Sequence, residues 1–523
     1  MSSHAIPAKT TVLVIGGGPG GSYASTVLAR EGISVVLLEA AKHPRDHIGE
    51  SMLPSLRHYL RFIGLEETFE AHGFQHKPGA CFRFAQDDVD YYTDFSTLGP
   101  GRTTWNVVRS EADELLLRYA TSQSAQVFEE TRVEWLDFDG SRPIRAHWTR
   151  KSGSRGSIEF DWLIDASGRQ SIMATKYLKN RIVRDALRNV AVYGYWRGAA
   201  IFNEGGPRHG APLFECLSDK LGWAWFIPLH NGTTSVGVVM HQDNSTSKKK
   251  DSGLALEAHY LDQLKLAPGI LELLKDGEFV VGSVKSVGDS SYYASSYAGD
   301  HYRLVGDAAA FIDPLFSSGF HMALTGGLSA AATILASSKG QVSEVETQHW
   351  HTTKIAIAQT RFLMVVLIAY RQMQSNPRML GALRMEQYGE AYDVFRPGTK
   401  VFKLLFTNAN HIEIVYQGEK DTSNDLLNTE ESIIADSQLS NLVDFSRQFF
   451  QISSDEVKEK PQHIVDMQEL NHLIDSEDDD ARELLRRLKM TALRNDTSED
   501  THDTINGLSI RFERGHLGLI RTE

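Results

Sequence analysis

The most regular hydrophobic pattern of the chain lies near its N-terminus. The apolar, β-branched run at residues 10–15 is typical of a buried parallel strand, because such a strand is covered on both faces. Glycines and then small and apolar residues at helical spacing follow in residues 16–30, and a second apolar run at 34–38 ends at Glu39. This order predicts a strand, a glycine turn, a helix and a second strand that ends at a carboxylate.

The glycine turn has the spacing of a dinucleotide-binding loop. Gly16, Gly18 and Gly21 form G-x-G-x-x-G, which allows a tight turn, close approach of the backbone to a pyrophosphate, and close packing of helix on sheet. Glu39 stands eighteen residues after Gly21, where a carboxylate can accept hydrogen bonds from an adenosine ribose. The predicted dinucleotide-binding residues are Gly16, Gly17, Gly18, Gly20, Gly21 and Glu39.

Two later segments have a similar strand-and-turn pattern. A strand that ends at a turn is predicted for residues 161–169, and residues 304–320 predict a strand that stops at Gly306-Asp307 before a new helix. An Asp at a strand end can hydrogen-bond sugar-like hydroxyls, and a helix N-terminus attracts negative charge. Asp307 therefore suits a ribityl chain, and residues Ser317 to Phe320 suit the edge of a flavin ring or an anion beside it. Three strand ends in this order indicate FAD rather than NAD.

The remaining pattern predicts an α/β fold with two interleaved parts and a helical end. Strand-like residues at 80–95, 190–196 and 223–230 predict an antiparallel sheet that covers the flavin and holds a substrate. Residues 1–335 are predicted to interleave this sheet with a Rossmann-type FAD-binding domain of the aromatic hydroxylase kind. Residues 336–523 are predicted to be mainly helical and to cover the substrate side.

Composition and charge exclude several classes of function. The 523 residues are 41% hydrophobic and 23% charged, which is typical of a globular protein, and the net charge of −13 argues against nucleic acid or anionic membrane as partners. Cys81 and Cys216 offer neither a disulfide framework nor a metal cluster, so inert buried thiols and no metal are expected. The longest apolar stretch, 362–370, has nine residues, whereas a spanning helix needs about twenty. Without a visible secretory signal, we expect a soluble, cytoplasmic protein that has no membrane span.

Residues 222–228 have the sequence Gly-Trp-Ala-Trp-Phe-Ile-Pro. This segment looks like the W-x-W-x-I-P signature that separates flavin-dependent halogenases from hydroxylases. Residues 49–51 (Gly-Glu-Ser), 77–79 (Lys-Pro-Gly) and 313–319 (Asp-Pro-Leu-Phe-Ser-Ser-Gly) also match that family. Over nearly its whole length the chain resembles the flavin-dependent halogenases, and most closely the fungal type that chlorinates free phenolic polyketides.

The resemblance implies roles for residues whose local sequence alone suggests none. Lys77 would ordinarily be a solvated lysine in a turn, but a lysine at this position is the family's catalytic group. Glu50 could be a helix cap and Arg109 a surface charge, yet both match positions that lie near the flavin. Trp223 and Trp225 are thought to separate flavin from substrate and so to hinder direct monooxygenation.

The resemblance also implies the chemistry. Reduced flavin (FADH2) reacts with O2 to give a hydroperoxide, which chloride attacks to yield hypochlorous acid. Chloride needs a pocket that lacks carboxylates and has N–H donors, and the backbone at Ser318 and Gly319, at the start of a helix, meets this need. Lys77 could hold hypochlorous acid by a hydrogen bond or react with it to a chloramine. A lowered pKa of a lysine in a dry tunnel would favour the chloramine, and both routes stay open.

The residue at position 316 bears on the substrate. Halogenases that act on tryptophan have a glutamate where this chain has Phe316, because an unactivated ring needs a carboxylate to support the electrophile. A phenolate activates its own ortho and para carbons, so Phe316 predicts chlorination, or bromination, of a free phenolic small molecule. A substrate bound to a carrier protein is the second possibility. The base for the phenol is unassigned, since the acidic run at 475–480 is better explained as a helix cap.

Two further alternatives are an aromatic hydroxylase and a non-enzymatic flavin-fold protein. A hydroxylase would hold its own NADPH and would need neither Lys77 nor the W-x-W motif. A non-enzymatic relative would usually lack the glycine motif or Asp307, and both are present here. The chain has one dinucleotide fingerprint, which FAD uses, so a separate NAD(P)H-dependent flavin reductase is the expected partner.

Overall fold

The computed structural model describes residues 5–84, 90–96, 103–374 and 505–521. Long helices and two large sheets make up most of these residues. The helices within them are α1 (Pro19–Arg30), α2 (Ser55–Ile63), α3 (Glu66–His72), α4 (Arg109–Ser122), α5 (Gln242–Ser252), α6 (Leu256–Leu264), α7 (Pro268–Leu274), α8 (Ser318–Ser338) and α9 (Glu344–Gln374).

The strands of the described residues alternate with these helices. They are β1 (Lys9–Ile15), β2 (Val35–Leu38), β3 (Gln75–Lys77), β4 (Gly79–Arg83), β5 (Tyr91–Asp94), β6 (Thr104–Asn106), β7 (Gln126–Phe128), β8 (Thr131–Asp139), β9 (Arg142–Arg150), β10 (Arg155–Asp165), β11 (Arg181–Arg197), β12 (Leu213–Cys216), β13 (Gly222–Pro228), β14 (Thr233–His241), β15 (Glu278–Phe279), β16 (Lys285–Ala294), β17 (Ala298–Gly299), β18 (Tyr302–Leu304), β19 (Leu508–Arg511) and β20 (Gly518–Arg521). β3 pairs with β6, and β19 with β20, as small separate ladders.

The first large sheet has a parallel centre with the strand order β18-β10-β1-β2-β7. The hairpin of β8 and β9 extends it beside β10, and β17 pairs with β18. The apolar run of β1 is buried, as expected for a strand that is covered on both faces. The predicted Rossmann-type architecture is confirmed, with α1 connecting β1 to β2.

The second large sheet has the order β15-β11-β14-β13-β12-β4-β5, with β16 paired to β11. Its pairs are antiparallel except for the parallel pair of β12 with β4. The three regions that the sequence predicted as strand-like contribute β4, β5, β11 and β13 to it. Phe160 of the first sheet and Trp225 of the second belong to one hydrophobic cluster, so the two sheets share a core.

Helix α8 is almost entirely buried within the described part of the chain. It is long and apolar enough to cross a membrane by length and composition, but 94% of the residues in its most apolar window are buried inside the protein. It packs against α1 and α9, and its first turn faces the ends of the parallel strands. The helix is therefore a core helix whose N-terminus lies at the candidate site.

The predicted helical C-terminal region, 336–523, falls mostly outside the described residues. The acidic run at 475–480 lies there too, so the proposed division at residue 335 stays a prediction. Within the described part, β19 and β20 return to the N-terminal half, where the Glu31 carboxylate accepts a 2.7 Å hydrogen bond from the Gly515 amide. The Trp350 indole of α9 donates to the Leu508 carbonyl at 3.0 Å, which joins this ladder to the helices.

Both cysteines are buried and unpaired. Burial raises the pKa of the Cys81 thiol and of the Cys216 thiol to about 12. A thiol with such a pKa stays protonated and unreactive near neutral pH, as the sequence analysis expected.

Candidate active site

Three strand ends that are far apart in sequence meet at one edge of the first sheet. Ile15, the last residue of β1, is paired with Asp165 at the end of β10, and Asp165 is paired with Leu304 at the end of β18. The turns that follow these strands therefore lie side by side. Ligands of open α/β sheets bind outside such carboxyl ends, and the predicted return of the chain to one site is confirmed.

A cavity of about 660 Å³, the cleft, opens at this edge. The predicted residues that line it are Gly16, Gly18, Gly20, Glu39, Glu50, Arg109, Asp307, Gly319 and Phe320. Gly17, Gly21 and Ser318 lie in the same segments but behind the lining surface, and Lys77 lines a different, smaller cavity.

The glycines of the loop serve two different purposes. A Cβ at Gly21 would lie 2.0 Å from the Gly16 carbonyl oxygen, and one at Gly16, where φ is +105°, would lie 2.3 Å from the Ala166 carbonyl oxygen. Those two glycines are required by the packing of the chain itself. A Cβ at Gly18 would approach only the flexible Arg45 side chain, at 3.3 Å, and Gly18 lines the cleft. Gly18 thus leaves open the space that the backbone needs to approach a pyrophosphate.

Glu39 holds the glycine loop against the second strand. Its carboxylate accepts hydrogen bonds from the amides of Gly17, at 2.5 Å, and Ala41, at 2.6 Å. Both oxygens keep acceptor capacity toward the cleft, since each carboxylate oxygen has two lone pairs. The position fits a ribose-binding acid, and that role stays a prediction.

Two arginines make the glycine-loop side of the cleft cationic. Arg45, which the sequence analysis did not identify, lines the cleft beside Gly18 and lies 3.4 Å from Asp113. Arg109 binds both oxygens of Asp113, at 2.9 and 3.1 Å, and donates to the Ile48 carbonyl at 2.6 Å. Burial opposes ionisation of Asp113, yet the adjacent Arg109 charge lowers its pKa.

The same cationic field acts on a histidine of this wall. The Arg109 charge, followed by burial, lowers the pKa of His47 to about 4, so its imidazole is neutral at physiological pH. Cationic groups beside a glycine loop suit a diphosphate. A single basic residue after the second strand carries little sequence signal, which explains why Arg45 was missed.

Two carboxyl groups of the cleft are held in unusual states. Burial raises the pKa of Asp307, and Arg169, 3.7 Å away, opposes this effect. Burial also raises the pKa of Glu50 to about 7, although its Oε1 accepts a 2.9 Å hydrogen bond from the Tyr195 hydroxyl. Both groups line the cleft, and with a pKa of about 7 the Glu50 carboxyl is partly neutral near neutral pH, so it can donate as well as accept hydrogen bonds. Together with the open Gly18 and the arginines, they fit FAD.

The predicted halide residues lie at the start of α8. Ser317 precedes the helix with a left-handed φ of +56°, and Gly319 faces the cleft with nothing within 4 Å of the position of an added Cβ. The N–H groups of the first helical turn have no acceptors within the helix and favour an anion. The geometry provides room for a halide beside Gly319.

A carboxylate lies closer to this helix start than the sequence analysis anticipated. Asp313 lines the cleft and accepts hydrogen bonds from the Leu315 amide, at 2.9 Å, the Asn189 side chain, at 2.9 Å, and the Tyr370 hydroxyl, at 3.0 Å. These donors hold the carboxylate in place and offset its charge. Tyr370 also accepts a 2.8 Å hydrogen bond from the Trp223 indole, which links the network to the W-x-W strand.

Trp223 and Trp225 both line the cleft from β13. Their ring centroids lie 6.0 Å apart, and the Trp225 indole donates to the Ser235 hydroxyl at 3.1 Å. With both indole N–H groups engaged within the protein, the two rings act as a fixed apolar wall. This arrangement agrees with the separating role that the resemblance implies.

Lys77 is buried, with 1% of its surface exposed, at the end of β3. Its Nζ donates to the Ser51 hydroxyl and to the Met52 carbonyl oxygen, both at 2.7 Å, and lies 5.2 Å from the centre of the Phe95 ring. Burial lowers the pKa of Lys77 to about 7, so a large fraction of the amine is neutral at physiological pH. The expectation of a solvated turn lysine does not describe this residue.

The space beside Lys77 is a small, mostly apolar cavity of about 10 Å³, the lysine cavity. It is lined by Leu53, Lys77, Ala80, Phe82, Thr93, Phe95, Phe214, Leu315, Phe316 and Ser317. Phe214 and Ser317 also line the cleft, so the two cavities are neighbours. Thr93, which the sequence analysis missed, has a buried hydroxyl with no hydrogen-bond partner among the described residues.

Phe316 is buried and packs on Phe82, with ring centroids 5.3 Å apart. It therefore contributes an apolar side to the lysine cavity at the position where the tryptophan halogenases have a glutamate. No described residue that lines the lysine cavity is a carboxylate.

Sequence comparison connects this geometry with known proteins. The FAD binding domain family matches residues 9–361, more than half of the chain. The flavin-dependent halogenase armH5 of Armillaria mellea is 55% identical over 547 aligned positions that cover 100% of both chains. The sulochrin halogenase gedL of Aspergillus terreus is 46% identical, over 99% of this chain and 94% of that protein.

Solved structures agree with the sequence relatives. The myxobacterial chondrochloren halogenase CndH superposes with a TM-score of 0.65 and 27% identity, over 77% of this chain and 97% of its own. The flavin-dependent halogenase CmlS superposes with a TM-score of 0.67 and 26% identity, over 86% of this chain and 80% of its own.

Proposed function

The chain belongs to the flavin-dependent halogenases, and on that premise we propose that it chlorinates an electron-rich phenolic ring of a free, aromatic polyketide-type molecule through Lys77. The enzyme uses FAD as its cofactor. The observation that supports the proposal most strongly is the burial of Lys77 in an apolar cavity that adjoins the cleft.

Different residues of the cleft would bind different parts of FAD. Gly18 would allow the approach to the pyrophosphate and Arg45 would supply positive charge for it, while Glu39 would hold the adenosine ribose and Asp307 the ribityl chain. When bound and reduced by a separate NAD(P)H-dependent reductase, the cofactor supplies with O2 the oxidising power that converts chloride to hypochlorous acid. The remaining steps depend on the side chains of the protein.

Chloride, or bromide in its place, binds at the start of α8 beside Gly319. The amide N–H groups at Ser318 and Gly319 attract the anion, and the space beside Gly319 admits it. Asp313 would repel a halide, but three hydrogen-bond donors hold and partly neutralise its carboxylate. The Trp223 and Trp225 rings exclude the substrate from this position.

Lys77 then receives the chlorine equivalent. With its pKa lowered to about 7, the amine is partly neutral and can attack hypochlorous acid, forming an N–Cl bond as the O–Cl bond breaks and water leaves. The protonated amine can instead hold hypochlorous acid by a hydrogen bond, and the Thr93 hydroxyl offers a second polar contact. In both cases chlorine reaches the ring carbon, and the ring proton is released.

The substrate follows from the apolar surroundings of the lysine. Phe316 leaves the lysine cavity without the carboxylate that an unactivated indole requires, so the ring must bring its own activating oxygen. A relative with 46% identity is named as a sulochrin halogenase, which supports a small-molecule substrate. A free substrate is preferred to a carrier-bound one.

The decisive experiment separates chlorine transfer from flavin chemistry. Lys77→Met, which keeps the packing, and Lys77→Ala should retain FAD and oxidise reduced flavin at near wild-type rates, while chlorination of a free resorcinol-type phenol falls by about 10²-fold or more. Lys77→Arg should not restore activity, because a guanidinium stays protonated. Lys176→Ala is the matched control, since Lys176 lines the cleft but donates to the Glu134 carbonyl at the surface.

Chlorination of the phenol by Lys77→Met at the wild-type rate would show that free hypochlorous acid is the reagent. A hydroxylated product from the wild-type enzyme would instead identify an aromatic hydroxylase. A chlorinated carrier-bound phenol, with the free phenol unreacted, would reverse the choice between free and tethered substrates. Product masses distinguish these outcomes.

A further inference from the structure

Two histidines and a glutamate meet at the surface, outside the cleft. His72 is the last residue of α3, Glu111 lies in the first turn of α4, and His230 lies in the turn between β13 and β14. The residues come from three separate segments, so no sequence spacing connects them. None of them lines the cleft or the lysine cavity.

The three side chains direct their ligand atoms at one point. The Nε2 atoms of His72 and His230 lie 2.7 and 3.2 Å from the same oxygen, Oε2 of Glu111. One nitrogen or oxygen atom from each of the three residues lies within 4.8 Å of the others. The ligands of a tetrahedral metal with bonds of about 2.0–2.2 Å lie about 3.3–3.6 Å apart, which is within the spread of these separations.

An aromatic side chain fixes the orientation of the two imidazoles. Phe74 is buried and packs against both rings, with centroid distances of 4.2 Å to His72 and 5.3 Å to His230. The imidazole rings lie 5.6 Å apart at 66° to each other. A buried wedge of this kind holds the ligand atoms together, whereas histidines on an open surface would have to give up rotamer freedom to meet.

A simple histidine–carboxylate ion pair needs only one imidazole, whereas this cluster has two. The same chain has such a pair in His147 and Asp137, with a 2.7 Å distance and one imidazole. At His72, Glu111 and His230, two imidazoles point at one carboxylate oxygen. A divalent cation uses all three groups at once, because imidazole nitrogens and a carboxylate oxygen can each present a lone pair to it.

We propose that His72, Glu111 and His230 form a site for a divalent transition metal of the zinc type, with water at the fourth position. Imidazole nitrogen favours zinc and its neighbours over magnesium or calcium, which prefer oxygen ligands. The residues are partly exposed, so the metal can exchange with solvent.

The site would join two parts of the enzyme that surround the cleft. Glu111 stands two residues after Arg109 on α4, and His230 follows the strand that holds Trp223 and Trp225. A metal bound to both would fasten the β13–β14 turn to α4. Its role is therefore to stabilise the wall of the cleft, and it takes no part in chlorine transfer.

The holoenzyme is first treated with a chelator to remove bound metal, and the chelator is then removed. ZnCl2 binding at neutral pH is measured by calorimetry, and thermal melts are recorded with and without ZnCl2. We expect one zinc per chain at this site and an increase of a few degrees in Tm. His230→Ala, His72→Ala and Glu111→Gln should each weaken zinc binding by more than about tenfold, since even the loss of a residue behind a ligand costs that much. His147→Ala, which removes an equivalent imidazole–carboxylate pair, should bind zinc like the wild type.

Cobalt(II) gives a second readout that does not depend on stability. A tetrahedral site should develop intense visible absorption with Co²⁺ in the wild type and in His147→Ala, and none in His230→Ala. The proposal is overturned if the wild type binds no zinc. It is also overturned if the three variants bind zinc as tightly as the wild type, which would place the metal elsewhere in the chain.

Discussion

The cleft and the lysine cavity are neighbours, but the cleft is lined by charged side chains and the lysine cavity mainly by apolar ones. The cleft, of about 660 Å³, retains full charges, among them the bidentate pair of Arg109 with Asp113. The lysine cavity, of about 10 Å³, contains Lys77 among apolar side chains, and its amine donates to a hydroxyl and a carbonyl. The pKa of Lys77 is lowered because the amine is buried.

The difference suits the role that is proposed for each cavity. An anionic cofactor is held by cations, and buried cations keep their charge when a carboxylate lies beside them, as Asp113 does for Arg109 and Arg45. A nucleophilic amine needs surroundings without a carboxylate, because a carboxylate partner would keep the amine protonated. The separation of the two cavities by Phe214 and Ser317 allows both conditions within one protein.

The largest effect is expected from filling the cleft at the glycine loop. Gly18→Leu should leave the fold intact, since an added Cβ meets only the flexible Arg45 side chain, but it should abolish retention of FAD almost completely. Flavin absorbance per protein after desalting measures this. Gly288→Leu, at an open position outside the cleft, is the control and should keep its flavin. Normal flavin content in Gly18→Leu would remove the loop from the cofactor site.

A carboxylate introduced into the lysine cavity tests the contrast directly. Phe316→Glu should pair with Lys77, raise its pKa, and lower chlorination at pH 7 by about tenfold for each unit of pKa increase, with recovery at higher pH. Phe316→Gln has the same shape without the charge and should keep the wild-type pH profile, in which activity rises through about pH 7. Coincident pH profiles for the two variants would mean that the neutral amine is not the reactive form.

The smallest effect concerns stability, at Glu50 in the cleft. Burial raises its pKa from 4.5 to about 7, so the folded protein binds the proton more tightly than the unfolded chain does. The free energy of unfolding should therefore fall as pH rises from about 4.5 to 7, by up to about 3 kcal/mol from this group. Glu50→Gln removes that dependence and should gain stability relative to the wild type between pH 5 and 8. Denaturant melts of the flavin-free proteins at these pH values would show it, and parallel curves would contradict it.

Local order along the chain was sufficient to predict the strands, turns and helix starts that line the cleft. The glycine spacing, the acid at Glu39 and the strand ends at Asp165 and Leu304 are short-range features, because a strand, its turn and the next helix are contiguous in sequence. The antiparallel sheet with Trp223 and Trp225 was also predictable from alternating residues. The helical end of the chain remains a prediction for residues 375–504.

The tertiary structure decided the properties that depend on surroundings. The pKa of Lys77 is lowered by burial among side chains that β3, β5 and the start of α8 bring together. The Asp313 carboxylate is held by hydrogen bonds from Asn189 and Tyr370, which are distant from it in sequence. Arg45, beside the glycine loop and Asp113, and the cluster of His72, Glu111 and His230 likewise depend on segments that are distant in sequence. Residue types determine which chemistry is available along a chain. Burial and neighbouring groups determine the protonation state and the partners of each side chain, and burial and neighbours arise only when the chain is folded.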